Sequence, residues 1–378
     1  MKNKYIPVNT PLLEGNELKY ITEAIESGWV SSEGPFVNKF ENIVAEKAGR
    51  EHGIAVSSGT AAIDIAVAAL KIEKGDEVIM PTHTIISCIL QVIRSGATPV
   101  FVDSNQLTWN MDVNQIEDKI THRTKAIMAI HLYGLPAEMD SIMFLAKKYG
   151  LFVIEDASQM MGQIYNGKPC GSFGDISTTS FYPNKFITTG EGGMCLTDNN
   201  DLANRCKSLR NLCFQPGKRF IHDELGWNYR MTNLQAAIGL AQVKRLEYHV
   251  KRKRAIGKKY LKLLDAKTSL QLPLNRTAYA ENIFWVFGVL LPDNISLSTD
   301  IVMTELSKKG IGARPFFYPL HRQPVFTNLG MFGDETYPVA EKLASKGFYI
   351  PSGLGLKDSE IETCATGLVD VINNSDLT

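Results

Sequence analysis

Lys185 is the residue of this chain whose setting best suits nucleophilic chemistry. It follows an apolar run at residues 176–181 and precedes the glycine-rich turn Gly190-Glu-Gly-Gly193. Most lysines are hydrated surface groups, and Lys185 can be interpreted in that way too. A lysine held between the end of a strand and a tight glycine turn can instead lose its water, which lowers its pKa and makes it a nucleophilic amine.

Two adjacent acids, Glu155 and Asp156, end a second apolar run at residues 151–155. In an open α/β sheet, sites form at the carboxyl ends of the strands, so we expect one of these carboxylates inside the crevice. The alternative is that Asp156 caps a following helix, a position that aspartate favours. The sequence leaves both interpretations open.

A segment of small residues, Ser57-Ser-Gly-Thr60, directly follows an apolar run at 52–56 and opens an alanine-rich helix. A helix N-terminus presents free N–H groups and the positive end of the helix dipole, which suits phosphate. The hydroxyls of Ser58 and Thr60 could add to such a site. The alternative is an ordinary N-cap followed by a glycine turn.

Together these features match the needs of pyridoxal phosphate. That cofactor requires a lysine for covalent attachment, a carboxylate that keeps the pyridine nitrogen protonated, and a phosphate cup at a helix N-terminus. A fourth segment, the polar and aromatic Gly226-Trp-Asn-Tyr-Arg-Met-Thr-Asn233, could join such a site. The motifs of competing cofactors are missing, since the chain contains neither G-x-G-x-x-G nor G-x-x-x-x-G-K-[ST].

The elements that must position these residues are those of an α/β fold. Strands are expected at residues 52–56, 77–80, 98–102, 126–131, 151–155, 176–181 and 193–197. The first five alternate with helical stretches and are apolar almost throughout, which is typical of a mostly parallel sheet covered on both faces. The last two, joined by a glycine-rich turn, could be an antiparallel addition.

A long helical stretch from Asn233 onward starts apolar and ends basic, and the domain boundary is expected there. The predicted domains are a large cofactor-binding domain over residues 1–250 and a smaller α+β domain over residues 251–378. The basic run Lys251-Arg-Lys-Arg254 is interpreted as a solvated helix face, since four basic residues on one helix of a neutral protein are weak support for nucleic-acid binding.

The composition excludes several other classes of protein. Forty Lys and Arg balance forty Asp and Glu, which removes the electrostatic case for nucleic acid or an anionic membrane. The fractions of apolar (44%) and charged (21%) residues are typical of a soluble globular protein. The six cysteines form no C-x-x-C pair, and the N-terminus lacks an apolar leader segment. We therefore expect no metal site and free thiols in the cytoplasm.

With these motifs in this order, the chain resembles the DegT/DnrJ/EryC1/StrS family of nucleotide-sugar aminotransferases from about Ile6 to Ile372. The segments that carry the resemblance are Ser27-Gly-Trp-Val-Ser-Ser32, Ser57-Ser-Gly-Thr60, Ile154-Glu-Asp-Ala157, Asn184-Lys185, Thr189-Gly-Glu-Gly-Gly193 and Asn228-Tyr-Arg-Met-Thr-Asn233. The resemblance implies fold type I of the pyridoxal-phosphate-dependent transferases, as in aspartate aminotransferase. It also implies a homodimer with active sites shared between subunits.

The resemblance also implies roles for single residues. Lys185 would attach the cofactor and transfer the proton, and Asp156 would pair with the pyridine nitrogen. The remaining cofactor contacts would come from Ser58, Gly59, Thr60 and Ser180 at the phosphate, Gln159 at the ring hydroxyl, and Asn228 of the partner subunit. His83 lies where the family usually has Phe or Tyr stacked on the pyridine face, so the chain departs from the family there.

Within the family, the segment 314–321, together with residues 27–35 and the loop 218–222, most resembles the branch that aminates C4 of GDP-4-keto-6-deoxy-D-mannose with L-glutamate. Substrate contacts are then expected from Trp29, Ser31, Arg314 and His321. A guanidinium such as that of Arg314 suits a pyrophosphate; the alternative is that Arg314 forms a surface ion pair.

Several functional alternatives stay open. The substrate could be a dTDP- or UDP-linked keto sugar, aminated at C4 or C3, because these branches share the catalytic residues. A dehydratase on the same fold would replace Lys185 by histidine, and a non-catalytic regulatory protein would be expected to lose Lys185 or Asp156, yet the chain retains both. The resemblance places the product in the synthesis of O-antigen lipopolysaccharide or another surface glycan.

Overall fold

A computed structural model describes residues 5–215, 217, 220–295 and 297–373. The strands in this part of the chain are β1 (His52–Val56), β2 (Glu77–Pro81), β3 (Thr98–Val102), β4 (Thr124–Ile130), β5 (Phe152–Asp156), β6 (Ile164–Tyr165), β7 (Lys168–Pro169), β8 (Ile176–Ser180), β9 (Gly193–Thr197), β10 (Phe287–Leu290), β11 (Arg314–Pro315) and β12 (Gly347–Ile350). All seven strands expected from the sequence are present, with ends shifted by at most two residues.

The helices in the same part of the chain are α1 (Glu17–Glu26), α2 (Pro35–Ala48), α3 (Gly59–Ala69), α4 (Ser87–Arg94), α5 (Met139–Tyr149), α6 (Asn200–Arg210), α7 (Asn233–Val243), α8 (Leu246–Leu264), α9 (Thr299–Lys308), α10 (Pro324–Thr327), α11 (Pro338–Lys346) and α12 (Asp358–Asn373). No helix among these residues has the length and apolar character needed to cross a membrane.

The main sheet has seven strands in the order β1-β9-β8-β5-β4-β2-β3. The pairs from β8 to β3 are parallel, whereas β9 runs antiparallel to both β1 and β8. The expectation of a mostly parallel sheet is confirmed, but the antiparallel addition is β9 rather than β8 and β9 together, because β8 pairs in parallel with β5. The carboxyl ends of β1, β8, β5, β4 and β2 therefore meet at one edge.

The long helical stretch predicted from Asn233 is two helices that meet at Lys244 and Arg245. Thr232 caps the first of them through a reciprocal capping box with Gln235, which explains why the helix starts where it does. The second helix, α8, joins two packed regions. Its first turns pack in the core of the main sheet through Leu246, and its later turns pack under the small sheet through Tyr260.

The C-terminal part of the chain contains a three-stranded antiparallel sheet in the order β10-β12-β11. Its apolar core is separate from that of the main sheet, although Trp285 and Phe316 pack against the latter. A boundary at residue 250, within α8, remains our proposal. The interpretation of the run 251–254 as a solvated face was wrong in one respect, because Lys253 is buried.

Candidate active site

Polar residues from several elements gather at the edge where the parallel strands end. The register pairs Asp156 with both Ile130 and Thr178, so β4 and β5 end at one level and β8 ends two residues further on. Asp156 and Ser180 are the last residues of their strands, and Ser58 and His83 each follow a strand by two residues. The strand topology therefore brings together side chains that are far apart in sequence.

Lys185 lies in the loop after β8 with its side chain in a desolvated position. Its Nζ is 4.3 Å from the centroid of the Trp285 ring, and the indole Nε1–H of Trp285 donates to the carbonyl of Asn184 at 2.9 Å. Burial lowers the pKa of Lys185 to about 8, although the Asp156 carboxylate nearby favours the charged form. The predicted desolvation of Lys185 is thus present, and a buried tryptophan that sequence reasoning missed provides part of it.

Asp156 and Glu155 point to opposite sides of β5, as neighbours in a strand must. The Asp156 carboxylate accepts from the backbone N–H of Ser158 at 3.0 Å and from the thiol of Cys88 at 3.5 Å, and Thr178 Oγ1 lies at 3.4 Å. It is therefore Asp156, not Glu155, that is on the side of Lys185. Asp156 does not cap a helix in this structure, since no helix follows β5 directly.

Glu155 belongs to a buried structural cluster with His131 and Cys170. Its carboxylate accepts from His131 Nε2 at 2.9 Å and from the backbone N–H groups of Gly171 and Phe173 at 2.6 and 2.8 Å. His131 Nδ1 accepts from the backbone N–H of Ala137 at 3.0 Å, so the ring has no lone pair left for a metal ion. These contacts explain the cluster as hydrogen bonding that fixes the strand end.

An anion cradle forms where α3 begins. Ser58 is the N-cap of α3, and its Oγ accepts from the backbone N–H of Ala61 at 3.1 Å. A Cβ at Gly59 would lie 2.8 Å from Ser180 Cβ, and one at Gly193 would lie 2.3 Å from the carbonyl oxygen of Ser58. Only glycine allows these approaches, which place the Ser180 hydroxyl beside the free N–H groups of the helix.

His83 and Gln159 are both buried and are both bound to Tyr133, a residue that the sequence analysis did not single out. Gln159 Oε1 accepts from the backbone N–H of Tyr133 at 2.7 Å, and His83 Nε2 lies 3.2 Å from the Tyr133 hydroxyl. Tyr133 has a φ of +57°, in the region that favours glycine, so its contacts hold a strained backbone. Such strain is typical of functional sites, but only coordinates reveal it.

Arg314 and His321 have different environments. Arg314 is exposed and, among the described residues, has no ion-pair partner; it lines a cavity of about 340 Å³ together with Asn184 and Trp285, next to Lys185. His321 is buried, with Nδ1 2.7 Å from Thr82 Oγ1 and Nε2 2.9 Å from Glu341. Both of its ring nitrogens are engaged within the chain, by Thr82 and Glu341, and the substrate contact expected of His321 stays a prediction.

Trp29 and Ser31 line a different cavity, of about 1070 Å³, with Arg230. None of the described residues that line it is shared with the cavity beside Lys185. Asn233 holds this loop, because its backbone N–H and its side chain donate to the carbonyls of Ser31 and Trp29 at 2.7 and 2.6 Å. Asn228 is exposed, on the loop beside β1, and Lys218 and Arg219 of the predicted loop lie outside the described residues.

The residues fit pyridoxal phosphate. The structure provides a desolvated amine at Lys185, a buried carboxylate at Asp156 close enough to influence its pKa, and a glycine-lined cradle of N–H groups at the start of α3. On a mostly parallel seven-stranded sheet with a smaller C-terminal sheet, these features define a pyridoxal-phosphate-dependent enzyme of fold type I.

Comparison with known proteins places the chain more narrowly. Residues 11–369 match the DegT/DnrJ/EryC1/StrS aminotransferase family, and the chain belongs to that family. It is 41% identical to GDP-perosamine synthase of Escherichia coli O157:H7, over 95% of this chain and 96% of that protein. It is 40% identical to GDP-perosamine synthase of Caulobacter vibrioides, over 97% and 98% of the two chains.

A solved aminotransferase structure has the same fold as this chain. The X-ray structure of the aminotransferase from Psychrobacter cryohalolentis matches with a TM-score of 0.90 and 30% identity, over 98% of this chain and all of the other. The family, the fold type, the aminotransferase class and pyridoxal phosphate as the cofactor, all expected from the sequence, are confirmed. The roles of single site residues remain predictions.

Proposed function

We propose that this aminotransferase transfers the amino group of L-glutamate to C4 of GDP-4-keto-6-deoxy-D-mannose and so forms GDP-perosamine. The observation that carries the proposal is the identity of 41% and 40% to two GDP-perosamine synthases over nearly the whole of each chain. A third GDP-perosamine synthase, from Vibrio cholerae, is 37% identical over 97% of this chain. The product would enter the synthesis of O-antigen or another surface glycan.

The site supports the chemistry of this reaction. Pyridoxal phosphate, when bound, supplies an electron sink for the carbon from which a proton is removed. In our proposal Lys185 attaches the cofactor, Asp156 holds the proton on the pyridine nitrogen, and Gln159, whose oxygen is already bonded to Tyr133, donates through its amide N–H to the ring hydroxyl. Ser58, Gly59, Thr60 and Ser180, at the start of α3 and beside it, would hold the phosphate.

Lys185 is suited to move the proton. With its pKa lowered to about 8, its amine is neutral in a useful fraction of molecules near neutral pH, and it can take a proton from the α-carbon of the donor. In our proposal the Asp156 carboxylate, which accepts hydrogen bonds from Ser158 N–H and the Cys88 thiol, would face the pyridine nitrogen and hold its proton. Arg314, which has no carboxylate partner among the described residues, could bind an anionic part of a substrate.

A homodimer is part of the proposal. Trp29, Ser31 and Asn228 are expected at the active site from the family resemblance, yet Trp29 and Ser31 line a cavity that does not include Lys185 of the same chain. A second copy of the chain would complete both sites if these residues of one subunit approached Lys185 of the other. Light scattering of the purified protein tests this, since a monomer that turns over at full rate would contradict it.

A second candidate function has support of its own. The chain is 41% identical to UDP-N-acetyl-3-dehydro-alpha-D-glucosamine 3-aminotransferase of Acidithiobacillus ferrooxidans, over 85% of each chain. That relative acts on a UDP sugar at C3. The same catalytic residues would serve this reaction, so the choice between the two depends on the loops that contact the nucleotide and the sugar.

The test is the mass of the product. Purified enzyme, pyridoxal phosphate and L-glutamate are incubated in parallel with GDP-4-keto-6-deoxy-D-mannose, with dTDP- and UDP-linked 4-keto-6-deoxyglucose, and with UDP-N-acetyl-3-dehydroglucosamine. Chromatography with mass spectrometry then identifies any amine. Amination of the GDP sugar alone supports the proposal, whereas amination of only a dTDP or UDP sugar assigns the enzyme to another branch.

We also propose that the enzyme works in the cytoplasm, where its nucleotide-sugar substrates are made. All six cysteines lie among the described residues, and all are unpaired and buried. Free thiols of this kind suit a reducing compartment. Fractionation of the source cells, with activity followed by the product-mass assay, tests the location.

A further inference from the structure

The imidazole of His83 is completely buried in an aromatic cluster. Its ring centroid lies 5.9 Å from that of Tyr133 and 6.2 Å from those of Phe316 and Phe317. Nε2 lies 3.2 Å from the Tyr133 hydroxyl, whereas Nδ1 has no hydrogen-bond partner among the described residues. A buried polar nitrogen without a partner is rare in a native structure and calls for an explanation.

The hydrogen bonds of Tyr133 decide which nitrogen of His83 carries the proton. The Tyr133 oxygen already accepts from the backbone N–H of Phe317 at 3.2 Å. If the Tyr133 hydroxyl donates to His83 Nε2, only one buried group is left unpaired, the Nδ1–H of His83. If His83 Nε2–H donated instead, both the hydroxyl proton of Tyr133 and the bare Nδ1 of His83 would be unpaired. The first arrangement is favoured because each unpaired buried group is costly.

The ring is neutral in this environment. Burial lowers the pKa of His83 to about 3, and burial also raises the pKa of Tyr133 well above its usual range. Both groups therefore keep their neutral forms over the working pH range, and the tautomer derived from the geometry does not change within it. The neutral imidazole carries its single proton on Nδ1.

His83 is part of the active-site cluster. Thr84, the next residue, lies within 3.7 Å of the Cys88 thiol, which donates to Asp156. Tyr133 is bonded to Gln159 and stacks at 6.4 Å on Trp285, the ring that the Lys185 amine contacts. The unpaired N–H of His83 thus belongs to the same buried group of side chains as the amine and the carboxylate.

We propose that the Nδ1–H of His83 is a hydrogen-bond donor to an acceptor oxygen of a bound active-site ligand, and that Tyr133 is the positioning residue that fixes its tautomer. This inference rests on the proposed function for the identity of the ligands. The oxygen belongs either to pyridoxal phosphate or to the keto sugar nucleotide. A phenylalanine, one of the two residues that the family usually has at this position, would have no donor.

The first test observes the tautomer without any ligand. The protein is labelled with ¹⁵N-histidine, and the His83 signals are assigned by their loss in His83→Phe. We expect a protonated Nδ1 and a bare Nε2 in the wild type, and loss of this preference in Tyr133→Phe, which keeps the ring. Tyr260→Phe removes another buried hydroxyl, one that donates to Pro351 O, and should leave the His83 signals unchanged. A protonated Nε2 in the wild type would overturn the proposal.

The second test separates the two sources of the oxygen. His83→Phe keeps an aromatic ring and removes the donor. If the oxygen belongs to the cofactor, pyridoxal phosphate should bind to the apoprotein about tenfold more weakly, the effect of one neutral hydrogen bond. If it belongs to the sugar nucleotide, cofactor binding should be unchanged, and the loaded protein should bind GDP-4-keto-6-deoxy-D-mannose about tenfold more weakly in the absence of glutamate.

Unchanged affinity for both ligands in His83→Phe would refute the proposal. If the wild type does not bind the GDP sugar at all, the proposed substrate is wrong. In that case the tautomer and the affinity for pyridoxal phosphate decide the inference about His83 on their own, with weaker cofactor binding in the variant supporting it and unchanged binding overturning it.

Discussion

Two lysines, the partly buried Lys185 and the fully buried Lys253, show what distinguishes an amine proposed to be catalytic from a structural one. Both have a pKa lowered by burial, to about 8 for Lys185 and about 7 for Lys253. Lys253 lies on α8, where its Nζ donates to the carbonyls of Trp285 and Ser352, both at 2.6 Å. Lys185 lies in a loop beside a carboxylate and an open cavity. By pKa alone, Lys253 would be the stronger candidate for a reactive amine.

The difference lies in what surrounds each amine. The Lys253 amine donates hydrogen bonds to the carbonyls of Trp285 and Ser352. These bonds link the segment at Trp285 to the end of β12, so Lys253 is a buried crosslink. The Lys185 amine lies over the Trp285 ring, and the Asp156 carboxylate nearby raises its pKa. Its neighbour Asn184 lines a cavity that Arg314 also lines. A lowered pKa therefore indicates a functional site only when a partner charge and access for a ligand accompany it.

The largest expected effect is the loss of the catalytic amine. Lys185→Ala should lower kcat by at least about 10³-fold, because both covalent attachment and proton transfer depend on this group. Lys253→Met should retain kcat within about tenfold, since Lys253 touches no ligand in our proposal. Turnover is measured by product mass, with circular dichroism as the check on folding. Substantial turnover by Lys185→Ala would falsify the assignment of Lys185.

The second prediction distinguishes the roles of Asp156 and Glu155, the adjacent acids at the end of β5. Asp156→Asn should lower kcat about 100-fold with little change in stability, because asparagine has no charge to hold a proton on the pyridine nitrogen. Glu155→Gln should instead destabilise the fold, because its new N–H₂ group would oppose the donors from His131, Gly171 and Phe173. Turnover and urea unfolding of both variants are compared, and the opposite pattern would mean that the two roles are exchanged.

The sequence alone predicts where Lys185 and its neighbours lie, but it does not predict the burial of Lys253. Lys185, Asp156 and the α3 segment follow strand ends, so their convergence could be predicted from the alternation of strands and helices. The burial of Lys253 could not, because a run of four basic residues is usually solvated and only the packing of α8 puts one of them inside. Trp285, Tyr133 and Cys88 were missed for a similar reason, since an aromatic or thiol side chain in an apolar run is ordinarily core.

His321 shows a different limit of sequence reasoning. Its position in a segment that resembles the family suggested a substrate contact, whereas its bonds to Thr82 and Glu341 engage both ring nitrogens. A resemblance in sequence marks a residue that the family needs but does not show whether it touches the ligand or supports a neighbour. The burial of His321 and its contact with Thr82, which lies directly before His83, are features that only the structure shows.

A third effect concerns the stability provided by the structural lysine. Lys253→Met leaves two buried carbonyls without a donor and should lower the free energy of unfolding by about 1–3 kcal/mol at pH 9. The folded-state pKa of about 7 is below the ordinary 10.5, so the unfolded state binds more protons between these values and wild-type stability rises with pH in that window. The deficit of the variant should therefore shrink as the pH falls towards 7.

Urea unfolding at pH 7 and pH 9 measures this deficit. Lys251→Met, at an exposed position of the same helix, is the matched control and should change stability little at either pH. A stability deficit of equal size at both pH values would mean that Lys253 keeps an ordinary pKa in the folded protein. Lys185 and Lys253 would then no longer share a lowered pKa.

The smallest expected effect tests the amine of Lys185 directly. With a pKa of about 8, the neutral fraction rises from about one-tenth at pH 7 to about nine-tenths at pH 9, so the rate at which the apoprotein takes up pyridoxal phosphate should rise about tenfold and then level off. An ordinary lysine would give a rise of about 100-fold over the same range without levelling. Absorbance of the bound cofactor follows the reaction. Because the Asp156 charge raises the pKa of Lys185, Asp156→Asn should move the plateau to lower pH, and an unmoved plateau would show that burial alone sets this pKa.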